Sequence, residues 1–292
     1  MVIFRAGSRE NLGYGRGCDV IVPSGWGRQF FIALNYRGAR AAGLRDINTV
    51  TRYCNEFVFP DDVPDSAVAQ VYLQKETDTL RDKHFDYPPN KRPPFLKLGV
   101  AKPFEMPFSQ MVSSYLSATK IDLSAAPNFY VVRDRRKLEI LAKMTRLDEH
   151  NVTELRECIE GENIENAFVP VKLVSTAKGV PQRFARIYVV PDALKGSELG
   201  EEIKHISPLP ESQCVKECFE IPMDAISDNQ YPIIGFVTSG DRNWTGKRAS
   251  ALGYVSLNGL WKMMINADMT GTFAFRNQDV FGYHRAAMEI LV

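Results

Sequence analysis

The sequence predicts an α+β fold, with helices in the first part of the chain and strands concentrated toward the C-terminus. Two observations carry this prediction. Apolar residues recur at helical spacing from Leu44 to Phe57, and residues 231–292 consist of four β-rich runs separated by turns. With 292 residues, of which 45% are hydrophobic, the chain can form one large domain or two of ordinary size.

The first predicted elements are two strands, at residues 18–22 and 29–35. Both are rich in apolar residues, the second includes two phenylalanines, and proline, serine and glycine turn residues separate the two segments. We therefore expect the strands and Trp26 to form part of a core. The three-to-four-residue apolar spacing from Leu44 to Phe57 predicts a helix.

A second helix is expected to begin after "FPDDVPD", with Asp65 or Ser66 as its cap, and to end near His84. Residues 87–94, "YPPNKRPP", predict an extended connector because proline disfavours helix and central strand. Residues 100–127 are the best candidate for a domain boundary.

Further along the chain, "NFYVVRD" predicts a strand and "RRKLEILAKM" a helix. The stretch "AFVPVKLVSTAKGVPQRFARIYVVPD" predicts a β-hairpin, since two β-rich runs flank Lys178, Gly179 and Pro181. The four runs that follow are expected to build a barrel or a sandwich.

Composition excludes several classes of protein. The net charge is +1, so the chain lacks the strong positive charge typical of a nucleic-acid binder, and an anion-binding surface must come from local segregation of charge. No run approaches 18 apolar residues, which argues against a membrane span, and the first residues do not resemble a signal peptide. Five scattered cysteines favour a reducing compartment.

Residues that could support catalysis or bind a metal are not grouped in any recognised spacing. The four histidines lie far apart, and Cys214 and Cys218 fit neither a zinc knuckle nor a redox pair. Ser239 in "VTSG" is not in a nucleophile elbow, because Val237 and Asp241 stand where glycines are needed. We therefore expect no catalytic residue, no metal site and no cofactor.

Positive charge, in contrast, is concentrated in short segments. Residues 28–45 carry four arginines and no acid. An arginine offers bidentate hydrogen bonds to phosphate, so the sequence predicts phosphate-binding residues in three segments; the alternative for each is a solvated surface. The candidates are Arg37, Arg40 and Arg45, then Lys91 and Arg92, then Arg242, Lys247 and Arg248.

Three segments resemble the Pop-one family, the largest protein subunit of eukaryotic ribonuclease P and ribonuclease MRP. The first is "GCDVIVPSGWGRQFFIALNYRGARAAGLRD", residues 17–46, which is similar to the family's Gly-x-Asp-x-Ile-x-Pro-x-Gly-Trp-Gly start followed by Tyr-Arg-Gly-Ala-Arg and Gly-Leu-Arg. The others are "NKRPPFLKLG", residues 90–99, and "PIIGFVTSGDRNWTGKRASALGYVSL", residues 232–257. The resemblance implies a POPLD-type domain at residues 11–106 and a C-terminal α+β and β-barrel domain at residues 107–292.

The resemblance also implies a function. The chain would be a non-catalytic RNA-binding scaffold that supports maturation of the tRNA 5′ end and processing of ribosomal RNA. Its partners would be the catalytic RNA, other protein subunits and precursor tRNA, in the nucleus and nucleolus, without a membrane. The particle itself would be an endoribonuclease in which the RNA performs metal-assisted hydrolysis.

The family in turn resembles the glycine-cleavage T-protein in fold. "GFVTSG" followed by "LGYV" is similar to that superfamily's C-terminal region. This implies a folate-binding T-protein-like domain with a C-terminal β-barrel-like region, and it leaves an alternative function open, that of a folate-binding or aminomethyltransferase-like enzyme. Fold alone does not establish such an activity.

Overall fold

The computed structural model describes most of the chain in two compact units, Met1–Phe59 and Pro60–Val292. The described residues are 1–5, 7, 15–95, 98–100, 102–118, 129–144, 164–176, 178–191, 233–242, 248–265 and 271–292. The division into domains at residues 106 and 107 stays a prediction.

The first unit begins with an antiparallel pair of strands, β1 (Val2–Arg5) and β2 (Gly17–Val20). Two helices follow, α1 (Gly27–Tyr36) and α2 (Leu44–Tyr53). The strand predicted for residues 29–35 is therefore wrong. The stretch is rich in aromatic residues, but Ile32 is its one β-branched residue, and β-propensity yields easily to context. The helical hydrogen bonds begin with Phe30 N–H donating to the Trp26 carbonyl at 3.1 Å.

The helix predicted from Leu44 is confirmed, and it is one turn shorter than expected. Asp46 accepts a hydrogen bond from the Gly43 N–H at 2.9 Å and so caps its start. Asn55, just beyond the C-cap residue Cys54, takes a φ of +62°, a left-handed conformation that ends a helix.

The second unit contains helix α3 (Ala67–Asp86), a 3₁₀ turn (Pro89–Lys91), α4 (Phe108–Ala118) and α5 (Arg135–Met144). The predicted cap of α3 is confirmed as Ser66, whose hydroxyl accepts from Ala69 N–H at 3.1 Å. Asp65 instead accepts hydrogen bonds from Arg133 and from the Val131 N–H.

Six strands of this unit close into a β-barrel. They are β4 (Ala167–Ser175), β5 (Arg186–Pro191), β6 (Ile233–Arg242), β7 (Ala249–Ser256), β8 (Gly271–Arg276) and β9 (His284–Ile290). Their order is β4-β7-β6-β5-β8-β9, and β9 pairs back onto β4. A two-residue strand, β3 (Tyr130–Val131), pairs in parallel with the start of β4. The expected α+β class and terminal barrel are confirmed.

The hairpin predicted between the strands now called β4 and β5 is wrong, although both strands exist. β4 pairs with β7 and β9, whereas β5 pairs with β6 and β8, so the two strands stand on opposite sides of the barrel. The connection between them follows the barrel end instead of turning tightly, and Phe184 and Ala185 exchange backbone hydrogen bonds with Val237 at 2.9 Å each. A sequence pattern of two β-rich runs predicts where the strands lie, but it does not predict which strands they pair with.

Both faces of the barrel strands are covered. One face packs with α5 and with α6 (Leu257–Ile265), a helix that the sequence analysis missed. On the other face, Phe108 at the start of α4 contacts Phe168 and Phe236 in edge-to-face geometry, with ring centroids 5.0 and 5.3 Å apart. Gly235 lies where a side chain would collide with the Tyr254 carbonyl, which explains glycine within β6.

Candidate nucleic-acid interface

Three of the predicted arginines lie at the junction of α1 and α2. Arg37 ends α1, Arg40 lies in the connection and Arg45 is in the first turn of α2. The connection turns sharply because Gly38 takes a φ of +94°, which a residue with a side chain rarely adopts. All three side chains belong to exposed residues, and among the described residues none of them forms an ion pair.

The acid that follows these arginines in the sequence, Asp46, forms no ion pair with them among the described residues. Asp46 accepts the hydrogen bond from the Gly43 N–H at 2.9 Å and is thereby engaged in capping α2. The segment from Arg28 to Arg45 thus presents four positive charges with no carboxylate of its own. Such a cluster can attract phosphate groups, and each guanidinium can donate two hydrogen bonds to one phosphate.

Aromatic side chains accompany the arginines. Trp26 is 58% exposed and Tyr36 is 88% exposed, and no residue of α1 is buried. The expectation that Trp26 forms part of a core is therefore wrong, because the helix that replaced the predicted strand packs no face inward. Exposed aromatic rings beside arginines are typical of surfaces that stack unpaired bases.

Lys91 and Arg92 have different surroundings in the structure. Lys91 ends the 3₁₀ turn and is exposed. The Arg92 guanidinium donates hydrogen bonds to the carbonyls of Phe85 and Tyr87, at the end of α3, and lies 5.3 Å from the centroid of the Phe85 ring. Arg92 therefore satisfies the last carbonyls of a helix, which is a structural role.

The third predicted group lies at the end of the β6–β7 hairpin. Arg242 pairs in register with Ala249, so Arg242 and the exposed Arg248 are brought to the same end of the barrel. The Arg242 N–H donates to the Asp241 carboxylate at 2.6 Å. Lys247 lies outside the described residues.

The sequence analysis missed a half-buried charged cluster that joins the start of the second unit to the barrel. Arg183 donates to the Glu76 carboxylate at 2.8 Å and to the Thr238 carbonyl at 2.9 Å, and it lies 4.0 Å from Asp62. The Tyr254 hydroxyl donates to the Asp62 carbonyl at 2.7 Å, and burial raises the pKa of Tyr254. The cluster supports the fold, and its members are too far apart in sequence for any local pattern to reveal them.

The described residues include no group of three or more histidine, cysteine, aspartate or glutamate side chains that could hold a metal ion. Ser239 is buried within β6, so its position is a strand and not an elbow before a helix. None of the helices in the described part is long and apolar enough to cross a membrane.

Comparison with known proteins adds two family matches. A model of the POPLD (NUC188) domain matches residues 17–108, which include the α1–α2 junction. A model of the POP1 C-terminal domain matches residues 209–292, which include four of the barrel strands. Together the two matches cover more than half of the chain.

Two curated relatives agree with these matches. The human protein named "Ribonucleases P/MRP protein subunit POP1" is 32% identical over 123 residues, 41% of this chain and 12% of the relative. The Caenorhabditis elegans protein named "Ribonucleases P/MRP protein subunit popl-1" is 26% identical over 180 residues, 60% of this chain and 22% of the relative. The aligned part thus spans less than a quarter of either relative. With both family models matched in order along one chain, the chain belongs to the POP1 family.

Proposed function

We propose that this chain is a non-catalytic, RNA-binding scaffold subunit of the ribonuclease P and ribonuclease MRP particles. In this role it supports maturation of the tRNA 5′ end and processing of ribosomal RNA. Its partners are the RNA of each particle, neighbouring protein subunits and, in ribonuclease P, precursor tRNA. The RNA subunit performs the hydrolysis, and the protein holds the RNA fold. The place of action is the nucleus and nucleolus.

The observation that carries the proposal is the α1–α2 junction. Arg37, Arg40 and Arg45 are exposed without an ion pair among the described residues, and Asp46 is engaged in a helix cap. A local excess of positive charge raises the local concentration of an anionic partner such as RNA. The relatives are named as protein subunits of ribonucleases P and MRP, which favours RNA as that partner.

The experiment is residue-level protein–RNA crosslinking in the assembled particle. We expect crosslinks within residues 26–45, with further crosslinks near Arg242 and Arg248. Crosslinks confined to other parts of the chain would move the interface and leave the scaffold role intact. An assembled particle in which this chain crosslinks only to protein would contradict RNA binding.

We further propose that the second unit has the folate-binding T-protein type of fold. A closed six-stranded barrel with helices packed on both faces of its strands supports this. The corresponding enzyme is the alternative function, and titration with a folate separates the two: micromolar binding favours the enzyme, and no binding favours the scaffold.

A further inference from the structure

The second unit contains a solvent-open cavity of about 300 Å³ that the arginine surface does not explain. It lies between α3, the segment that leads into α4, and the connection from β4 to β5. A volume of this size is at the lower end of the range for small-ligand sites, roughly 300–1,000 Å³.

Aromatic rings form much of the cavity wall. They come from separate parts of the chain, namely Phe104, Phe108, Phe129 and Phe184. The Phe108 and Phe129 rings are tilted against each other with centroids 5.1 Å apart, and the Phe104 and Phe184 rings meet edge to face at 6.5 Å. Rings held by other rings give a rigid apolar surface for a flat ligand.

Two of these phenylalanines have a strained backbone. Phe104 has a φ of +67° and Phe184 a φ of +66°, which is uncommon for residues other than glycine. The surrounding structure fixes both conformations. The Gln278 side chain accepts from the Phe104 N–H at 3.0 Å, and the Val237 carbonyl accepts from the Phe184 N–H at 2.9 Å. Strain retained in two residues that line one cavity is characteristic of binding sites.

The polar atoms of the cavity favour a ligand that donates hydrogen bonds. The Gln110 Oε1 is buried and has no hydrogen-bond partner among the described residues. Burial raises the pKa of Glu105, and Lys102 and Arg81 oppose the rise. Of the described lining residues none is basic, so a phosphate is a poor occupant.

We propose that this cavity receives one unstacked RNA base that carries an amino group, with the phenylalanines against its ring and Glu105 and Gln110 accepting its N–H groups. This inference rests on the proposed RNA-binding function and names a second, base-specific contact. A neutral base suits the site better than a lysine or arginine of a partner protein, because a cation would lose its hydration against a wall that consists largely of phenylalanine rings. Sequence-specific RNA recognition targets bases that are splayed out in this way.

The test compares the whole chain with two single-site variants. Gln74 is an exposed residue of α3 that lines the cavity, so Gln74→Trp should fill the mouth without disturbing the fold. Lys75→Trp, at the next exposed position outside the cavity, is the matched control. Ser109→Trp, at another exposed lining position, gives the same test if the first variant loses its thermal transition.

The measurement is the affinity for short single-stranded oligonucleotides of adenosine, cytidine or uridine, and for a hairpin RNA without unpaired bases in its stem. We expect the filling variant to weaken adenosine or cytidine binding by roughly tenfold or more, the control to leave it unchanged, and uridine to bind weakly to all proteins. Glu105→Gln should reduce the preference over uridine.

Each result decides a different claim. If the hairpin binds and the filling variant has no effect on any oligonucleotide, the cavity inference fails and the scaffold role stands. If neither RNA type binds, the proposed function fails. If the filling variant abolishes binding of a folate or of a partner subunit while all oligonucleotides bind as before, the occupant is that other ligand and the inference is overturned.

Discussion

Replacing Arg37, Arg40 and Arg45 together by glutamine should weaken RNA binding and lower its salt dependence while the fold is retained. The three side chains are exposed, and among the described residues none has an ion-pair partner to lose. Surface substitutions of this kind move the free energy of unfolding by about ±0.5 kcal/mol each. The thermal midpoint is therefore expected to stay close to that of the unaltered chain.

The size of the binding effect follows from the number of phosphates contacted. Each neutralised phosphate contributes about −0.9 to the slope of log affinity against log salt for duplex DNA, and about −0.7 for single strands. Three contacts therefore contribute a slope of about −2 to −3. Between about 50 and 200 mM salt, a fourfold rise, the affinity of the unaltered chain should fall about twenty- to fortyfold more than that of the triple variant.

The assay is fluorescence anisotropy with a labelled structured RNA at several salt concentrations. The control replaces the exposed Lys75, Lys83 and Arg135 by glutamine, which removes the same net charge. Equal loss of affinity and slope in both triple variants would refute a localised interface and favour diffuse attraction. A triple change to lysine separates the possibilities further, because a bidentate clamp weakens at constant charge and diffuse attraction does not.

Three further predictions concern stability. Ser66→Ala removes the side-chain acceptor of the Ala69 N–H and should cost about 1 kcal/mol, or a fall in thermal midpoint of about 2–4 °C by calorimetry; an unchanged midpoint would contradict the cap. Burial raises the pKa of Asp65, but hydrogen bonds led by that from Arg133 lower it to a value below the ordinary one. The ionised Asp65 therefore stabilises the folded state above about pH 4, and this contribution is lost as the pH falls through the lower folded-state pKa. Arg133→Gln should flatten the acid side of the curve of unfolding free energy against pH. An unchanged acid side would show that the Asp65–Arg133 pair contributes nothing. Trp26→Ala should change the free energy of unfolding by about ±0.5 kcal/mol, because the indole is 58% exposed; a loss of about 3–5 kcal/mol would show a buried indole instead.

Local signals in the sequence were sufficient for three of the six described α-helices and for most of the described strands. The helix from Leu44, the cap at Ser66 and the helix at Arg135–Met144 depend on residues within a few positions of one another, and these predictions are confirmed. The sequence also indicated that the arginines of residues 28–45 lack a local ion-pair partner, because this segment contains no acid.

Strand pairing and side-chain burial depend on residues that are distant in the sequence, and the predictions of both were wrong at several positions. β4 and β5 read as a hairpin, but β4 closes the barrel with β9, more than a hundred residues later. Trp26 and the aromatic residues after it were predicted to be buried because hydrophobicity alone does not distinguish a buried residue from one that lies on an exposed surface. The cavity wall joins Phe104 to Phe184, a pairing that no spacing encodes.

The misreading of Trp26 bears on the interface itself. Arginines alone on a surface are explained by solvation, and exposed aromatic rings alone are explained by a protein contact. At the α1–α2 junction Tyr36 is exposed beside Arg37 and Arg40, and at the other end of α1 Trp26 is exposed beside Arg28. The acid that follows these residues in the sequence, Asp46, caps α2. A protein partner would have to bury these charges against acids of its own, at a cost in desolvation. An RNA supplies phosphates for the guanidinium groups and base faces for the rings from one molecule, so it accounts for both kinds of exposure at once.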